Sequence, residues 1–200
     1  MPTRRAIAKQ QTRNRVLAAA RKLFSEHGYE GATIRDIAAA AEMSTGAVFA
    51  NFADKADLFR EIVHADMEAI SEAMRQAAAD VSAVDEALLR MFAAGYGFYE
   101  NRLPLARAAI AVSWAPGEGA DLRARLPRRQ IASLFEVPLE AAATRGELSQ
   151  DPETTLRSDM LVEAYVANFR HLIFLEWSQK QVLDRARDQI RVIMAGARPG

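Results

Sequence analysis

The first 25 residues carry seven basic side chains and no acidic one. Through residue 60 there are ten basic and six acidic side chains, whereas residues 61–200 carry sixteen basic and twenty acidic ones. Because the whole chain is neutral, the basic end predicts an anionic partner, such as nucleic acid or a membrane surface, for that end alone. A solvated basic tail explains the same charges, so the elements that follow the tail must decide between the two.

Metal and acid–base chemistry have weaker support in this sequence. Glu61 and His64 form an E-x-x-H pattern, but a carboxylate-bridged di-iron site needs two such patterns and two further glutamates. His171 has Asn168 three residues before it, so the second pattern is missing. The chain has three histidines and no cysteine, which excludes disulfides and cysteine-ligated zinc. We predict no enzyme, no cofactor and no metal site, and a helical-bundle metal enzyme stays open as an alternative.

Three short helices are predicted within the first 60 residues, where they would position the basic segment. Apolar residues recur at helical spacing from Val16 to Phe24, and Gly28 is placed to end that helix. Thr33 is a candidate N-cap of a second helix, and Ser44 of a third. Two short helices joined by a tight turn follow the helix-turn-helix plan, whose second helix enters the major groove of DNA.

The segment Thr12–Phe59 resembles the DNA-binding domain of the tetracycline-repressor (TetR/AcrR) family of bacterial transcription regulators. Its residues LFSEHGYEGAT resemble the end of that family's first helix, TIRDIAAAAEMS the second helix, and STGAVFANFADKADLF the recognition helix and the start of the fourth. The resemblance covers a quarter of the chain. It implies an all-α fold of about nine helices, with a helix-turn-helix domain at residues 1–53 and a ligand-binding and dimerisation domain at residues 54–200.

The resemblance also implies which residues face DNA. They are Thr33, Arg35, Ser44, Thr45, Gly46, Ala47, Phe49, Asn51 and Lys55. Among them, Thr33 and Lys55 are expected to meet phosphates, and Arg35 a base or the backbone. The small residues that open the third helix are expected to face the groove.

Two positions depart from the family pattern. Phe49 stands where tyrosine is usual, so a phosphate-binding hydroxyl is absent, and Asn51 stands where histidine is common. We expect the rings of Phe49 and Phe52 to pack in the core. The departures keep open a second alternative, in which the protein is a helical adaptor that does not bind DNA.

Six further helices are predicted in the rest of the chain. They span about 54–79, 84–101, 105–114, 127–144, 152–178 and 181–197, and Pro138 predicts a kink in the fourth of them. A loop is expected at residues 116–119. Its Gly117-Glu118-Gly119 follows no strand and precedes no GK[ST], so a phosphate-binding loop is not predicted there.

The family resemblance assigns two roles to these helices. The last two, at about 152–178 and 181–197, would form a four-helix dimer interface, and the homodimer would bind a palindromic operator in double-stranded DNA. A small hydrophobic or amphipathic effector would bind in the core and release the DNA. Its candidate contacts are Phe92, Tyr96, Tyr99, Trp114, Phe135, His171 and Phe174, although aromatic residues at helical spacing are more often plain core.

No apolar run reaches the roughly 18–20 residues needed to span a membrane. The basic N-terminus has no apolar stretch behind it and does not resemble a secretory signal. We therefore expect a cytoplasmic protein without a membrane partner. The operator, the effector and the sign of regulation cannot be read from the sequence.

Overall fold

The computed structural model describes residues 3–100, 102–114, 120–149 and 153–198, and for residues 5, 111–114 and 120–128 it describes the backbone alone. Within these ranges the chain forms nine helices and no strand, which confirms the all-α fold class. The helices are α1 (Arg4–Gly31), α2 (Ile34–Ala40), α3 (Thr45–Phe49), α4 (Lys55–Ala78), α5 (Val84–Phe98), α6 (Leu103–Trp114), α7 (Ala120–Thr144), α8 (Thr154–Phe174) and α9 (Gln179–Met194).

Helix α1 is longer than predicted and is broken near its end. It begins at Arg4, where the Thr3 Oγ1 accepts a hydrogen bond from the Ala6 N–H at 3.3 Å. Gly28 has a φ of 72° and a ψ of 178°, so it interrupts the helix, and one more turn follows to Gly31. A positive φ is accessible to glycine without steric cost. Gly28 therefore breaks the helix as predicted, but it does not end it, and its ψ differs from that of a left-handed cap.

The ends of the last three helices also differ from the predicted ones. α7 begins at Ala120 rather than at Pro127, because the leucine, alanine and arginine residues before the proline favour helix. α7 continues through Pro138. α8 ends at Phe174, two residues before Glu176, whose φ of 55° is left-handed and cannot continue the helix. Ser178 then caps α9, and its Oγ accepts a hydrogen bond from the Gln181 N–H at 3.3 Å. The loop predicted at 116–119 falls mostly outside the described residues.

Contacts divide the chain into two units. The first contains the residues through Asp66 together with Arg102–Val112, and the second contains Met67–Asn101 together with residues 113–200. The boundary at residues 53 and 54 stays a prediction. None of the helices in the described ranges is long and apolar enough to cross a membrane.

The first unit has a core formed by α1, α2, α3, the start of α4 and part of α6. Val16, Phe24 and Ile37 are fully buried there. The Phe24 and Phe59 rings meet edge to face with centroids 5.2 Å apart. This core fixes the α2–α3 pair against the longer helices.

The second unit is built around stacked aromatic rings. Tyr96 on α5 and Tyr165 on α8 stack with ring centroids 4.9 Å apart and an interplanar angle of 4°. Gly95 permits this packing, because a Cβ added there would lie 2.3 Å from the Tyr165 Oη and 2.5 Å from the Met74 Cε. Close packing of α4, α5 and α8 therefore requires glycine at this position.

Candidate nucleic-acid interface

The start of α2 is fixed by a side-chain cap. The Thr33 Oγ1 accepts a hydrogen bond from the Asp36 N–H at 3.2 Å and donates one to the Asp36 Oδ2 at 2.6 Å. The hydroxyl expected to meet a phosphate is thus already engaged within the helix. Arg35, one residue into α2, is exposed and forms no ion pair with the described residues, so its guanidinium is available to a partner.

A left-handed residue turns the chain from α2 into α3. Glu42 has a φ of 56°, and the Met43 N–H donates to the Ala38 carbonyl at 2.8 Å while the Glu42 N–H donates to the Ala39 carbonyl at 3.0 Å. This is the hydrogen-bond pattern of a Schellman motif, in which glycine is the usual left-handed residue. The motif fixes the angle at which α3 leaves α2.

Helix α3 presents a small and uncharged face to solvent. Its cap, Ser44, accepts a hydrogen bond from the Ala47 N–H at 3.2 Å, as predicted. Val48 is fully buried in the first unit, whereas Thr45 and Gly46 are exposed. The residues expected to face the groove therefore lie on the outer side of the helix, with Ala47 half-buried.

The two phenylalanines that follow have opposite environments. Phe52 is 2% exposed, which confirms its predicted place in the core. Phe49 is 54% exposed, so the expectation that its ring packs in the core is wrong. The reason is the helical period: with Val48 facing inward, its neighbour Phe49 points outward together with Thr45, four residues earlier.

Asn51 uses its side chain within the domain. Its Nδ2 donates to the Ala47 carbonyl at 2.9 Å, and its Oδ1 is buried without a hydrogen-bond partner among the described residues. Its own carbonyl accepts from the Arg13 Nη1 at 2.7 Å. A phosphate contact by this residue stays a prediction, and it would have to use the second N–H of the amide.

Lys55 lies beside the end of α1. Its ammonium donates to the Tyr29 carbonyl at 3.0 Å and to the Ala32 carbonyl at 3.3 Å, and it lies 4.3 Å from the centre of the Tyr29 ring. Lys55 therefore satisfies two backbone carbonyls near the end of α1, and its side chain is only a quarter exposed. A phosphate contact by Lys55 stays a prediction.

Several of the N-terminal basic residues hold helices together. Arg13 pairs with Glu61 of α4, with its Nε 3.1 Å from the Glu61 Oε1. Arg21 pairs with the buried carboxylate of Asp66. The glutamate of the E-x-x-H pattern therefore takes part in an ion pair between α1 and α4. Sequence reasoning missed these pairs, because their members are more than 40 positions apart.

Other basic residues remain exposed on the first unit. Lys9, Lys22 and Arg35 form no ion pair with the described residues. Free cations of this kind neutralise DNA phosphates and make the binding dependent on salt. The charge at the basic end is thus divided between internal pairs and a surface open to an anionic partner.

The predicted effector contacts separate into two groups. Phe92, Tyr96 and Phe135 are buried together, and the Phe92 and Phe135 ring centroids lie 5.3 Å apart. Tyr99 joins them through Phe169, at 5.3 Å. Burial raises the pKa of the Tyr96 phenol well above its usual range, and the nearby Tyr165 adds to this effect.

The other predicted contacts lie elsewhere. The His171 Nδ1 is 2.7 Å from the Ala167 carbonyl, and the His171 ring packs on Trp177 at 4.6 Å. Phe174 is 49% exposed at the end of α8. The structure does not bring these two residues to the aromatic cluster, and the side chain of Trp114 lies outside the description.

A groove between α8 and α9 was not identified from the sequence. It has a volume of about 800 Å³ and an apolar floor that includes Met160, Ala164 and Val192. Met160 is 44% exposed and Val192 is 64% exposed. The sequence signal for it was the apolar character of α8 on more than one side. This character predicts that other helices cover α8, but it does not show where on α8 a groove lies.

Known proteins resemble this chain mainly at its N-terminal end. The family model described as bacterial regulatory proteins, tetR family, matches residues 16–62. The HTH-type transcriptional repressor AcnR of Corynebacterium glutamicum is 40% identical over 65 residues, which cover 32% of this chain and 35% of that repressor. The match thus spans about a third of the length of this relative.

Two further proteins resemble the chain over most of its length. The HTH-type transcriptional regulator UidR of Escherichia coli K12 is 26% identical over 160 residues, 77% of this chain and 78% of UidR. The crystal structure of a TetR-family transcriptional regulator from Pectobacterium atrosepticum superposes with a TM-score of 0.76 and 18% identity, covering 100% of this chain and 99% of the other. At that identity the likeness concerns the fold alone.

Proposed function

We propose that this chain is a transcriptional repressor of the TetR family that binds operator DNA, because the tetR family model matches residues 16–62 and a curated repressor is 40% identical over 65 residues. The observation that carries the proposal is the exposed α2–α3 pair, capped at Thr33 and Ser44 and supported by a buried core. This pair is the reading element of a helix-turn-helix domain, and α3 would lie in the major groove.

The contacts with DNA would divide into two kinds. Exposed cations, Lys9 and Lys22 on α1 and Arg35 on α2, would supply salt-dependent affinity through phosphates or, for Arg35, a base. The uncharged outer face of α3 would approach the base edges. Lys55 and Asn51 would support the domain from within, because their donors already have internal partners.

The groove along α8 and α9 supports a homodimer through the last two helices, as the resemblance implied. Its floor is apolar, while Glu163, Arg185 and Asp188 line its edges. An apolar centre with a charged rim is the usual composition of a protein–protein interface. A symmetric dimer would place two reading heads on the two halves of a palindromic operator.

We also propose that a small hydrophobic or amphipathic effector releases the operator. A pocket of about 230 Å³ in the second unit supports such a ligand, since Val84, Met91 and Leu134 give it an apolar wall and Arg75 and Arg145 are polar groups in its lining. The described residues that line this pocket include none of the effector contacts predicted from the sequence. The effector must prefer the state that does not bind DNA, and a hundredfold preference supplies about 2.7 kcal/mol.

The test of the central proposal is a selection of the purified protein against random duplex DNA at two salt concentrations. We expect one palindromic motif to be enriched at both. Weak binding without a preferred sequence, lost at the higher salt concentration, would contradict the proposal and favour the adaptor alternative. The selected operator then serves in a fluorescence anisotropy screen, in which an effector is recognised because it releases the DNA.

A further inference from the structure

Phe49 is an exception among the phenylalanines of the first unit. Phe24, Phe52 and Phe59 are at most 2% exposed, whereas Phe49 is 54% exposed. Its ring contacts no other ring among the described residues, unlike the rings of Phe24 and Phe59. An exposed aromatic side chain gains little from folding and gains much from a partner that covers it.

The neighbours of Phe49 on α3 leave room for such a partner. Thr45 and Gly46, four and three residues earlier, share its side of the helix and are exposed. A Cβ added at Gly46 would have only the Ser44 Oγ within 4 Å, at 3.8 Å. The fold therefore does not require glycine at this position, although glycine weakens a helix.

This face of α3 offers few hydrogen bonds. Thr45 carries its one free hydroxyl, while the Ser44 hydroxyl caps the helix and the Asn51 amide donates to Ala47. A face of this composition reads bases chiefly by apolar contact. In the major groove of DNA the one apolar group on a base edge is the 5-methyl of thymine.

We propose that Phe49 is a specificity-determining residue whose ring packs against the 5-methyl group of a thymine in each operator half-site. The inference rests on the proposed function, since it requires that α3 enters the major groove. Phenylalanine has no hydrogen-bond donor, so it cannot replace the phosphate contact of the family's usual tyrosine. The ring would instead add a preference for one base.

The test removes the methyl group without changing the base pair. Each thymine of the selected operator is replaced in turn, in both half-sites, by deoxyuracil, and the dissociation constant is measured by fluorescence anisotropy. Burial of one methyl group is worth about fourfold in affinity. With the unmodified protein, we expect replacement at one thymine position to weaken operator binding about fourfold for each methyl group removed.

Three variants then assign that loss to Phe49. In Phe49→Ala the loss at this position should disappear, because the ring that covers the methyl group is gone. In Phe49→Tyr, which keeps the ring, the loss should remain. Thr45→Ser removes a methyl from the same face of α3 and is the matched control, in which the loss at the Phe49 position should also remain.

The outcomes separate this inference from the function beneath it. Enrichment of no motif would contradict the proposed function itself. Suppose that a motif is enriched, and that replacing thymine by deoxyuracil lowers the affinity of Phe49→Ala as much as that of the unmodified protein. That result would overturn the inference alone. A loss of affinity in Phe49→Ala that is equal for all DNA sequences would overturn it too. Thermal unfolding of Phe49→Ala checks the fold, and we expect one cooperative transition close to that of the unmodified protein, because more than half of the side chain is exposed.

Discussion

At the scale of single residues, Lys55 shows how a charged side chain can support the domain from within. Its ammonium caps the Tyr29 and Ala32 carbonyls. Hydrogen bonds that involve a charged group contribute about 1.5–3 kcal/mol each, so we expect Lys55→Ala, which removes two of them, to lower the free energy of unfolding by about 3 kcal/mol. Urea denaturation followed by circular dichroism measures this change.

Lys22→Ala is the control for Lys55→Ala, because Lys22 is exposed and forms no ion pair with the described residues. It should leave the free energy of unfolding unchanged and lower DNA affinity at low salt. If Lys55→Ala instead unfolds at the same urea concentration as the unmodified protein, the capping role is wrong and a role at the DNA surface gains support.

Substitution of alanine for glycine should have opposite effects on stability at Gly95 and at Gly46. Gly95→Ala forces a Cβ against Tyr165 and Met74 and should cost about 2 kcal/mol of stability. In Gly46→Ala the added Cβ meets only the Ser44 Oγ, at an ordinary contact distance of 3.8 Å, so we expect unchanged stability or a gain of up to about 1 kcal/mol, together with weaker operator binding. Thermal unfolding and anisotropy measure the two effects. Gly46→Ala with unimpaired binding would contradict a close approach of DNA to α3.

Capping residues could be predicted from the sequence because their hydrogen bonds are local. Thr33 and Ser44 cap as expected, and the Asp54 Oδ1 accepts from the Asp57 N–H at 2.6 Å. The Ala53 N–H in turn binds the Asp57 carboxylate and holds the pKa of that side chain below its usual value. The partners of Lys55 could not be predicted, since they lie more than 20 residues away in the chain.

At the scale of helices, a buried ion pair joins α1 to α4. The Asp66 side chain is 2% exposed, and its partner Arg21 is one-third exposed. Arg21→Met would leave the carboxylate buried without a counter-charge, which should cost about 3 kcal/mol. The double variant Arg21→Met, Asp66→Leu should recover most of that loss, because no charge remains buried. Urea denaturation of the three proteins measures both effects.

A comparison with an exposed pair tests whether burial is the cause. Lys180→Met breaks the ion pair with Asp184 on the surface of α9 and should leave the denaturation midpoint unchanged. If the double variant is less stable than Arg21→Met, the explanation is wrong. The pair would then stabilise the protein through its geometry, and not because arginine compensates a buried charge.

Helical periodicity was enough to predict the helices, but not all their ends. The apolar spacing predicted the existence and order of the nine helices found in the described ranges. The α8–α9 boundary was missed because α8 remains apolar up to the residues that precede Ser178, whose side chain then starts a new helix. Tertiary pairs such as Arg13–Glu61 depend on how helices pack, and the spacing within one helix carries no information about them.

At the scale of the whole molecule, the groove along α8 and α9 predicts the position of the dimer contact. Val192 is 64% exposed in the groove, close to Asp188. Val192→Asp would add a third carboxylate to the groove, beside those of Glu163 and Asp188, and a symmetric dimer would carry the change twice. Loss of the buried valine and the cost of burying a charge should weaken dimerisation by about a hundredfold or more, which sedimentation velocity measures.

Val137→Asp is the control for dimerisation and is tested without effector, because Val137 is 60% exposed on α7, lies outside the groove and lines the pocket proposed for the effector. It should remain dimeric and bind the operator like the unmodified protein. For Val192→Asp, the affinity of each DNA-binding domain for its half-site should be the same in a single half-site and in the full palindrome, since the two domains are no longer joined. A dimer that persists in Val192→Asp with full affinity for the palindrome would place the contact between subunits on another surface.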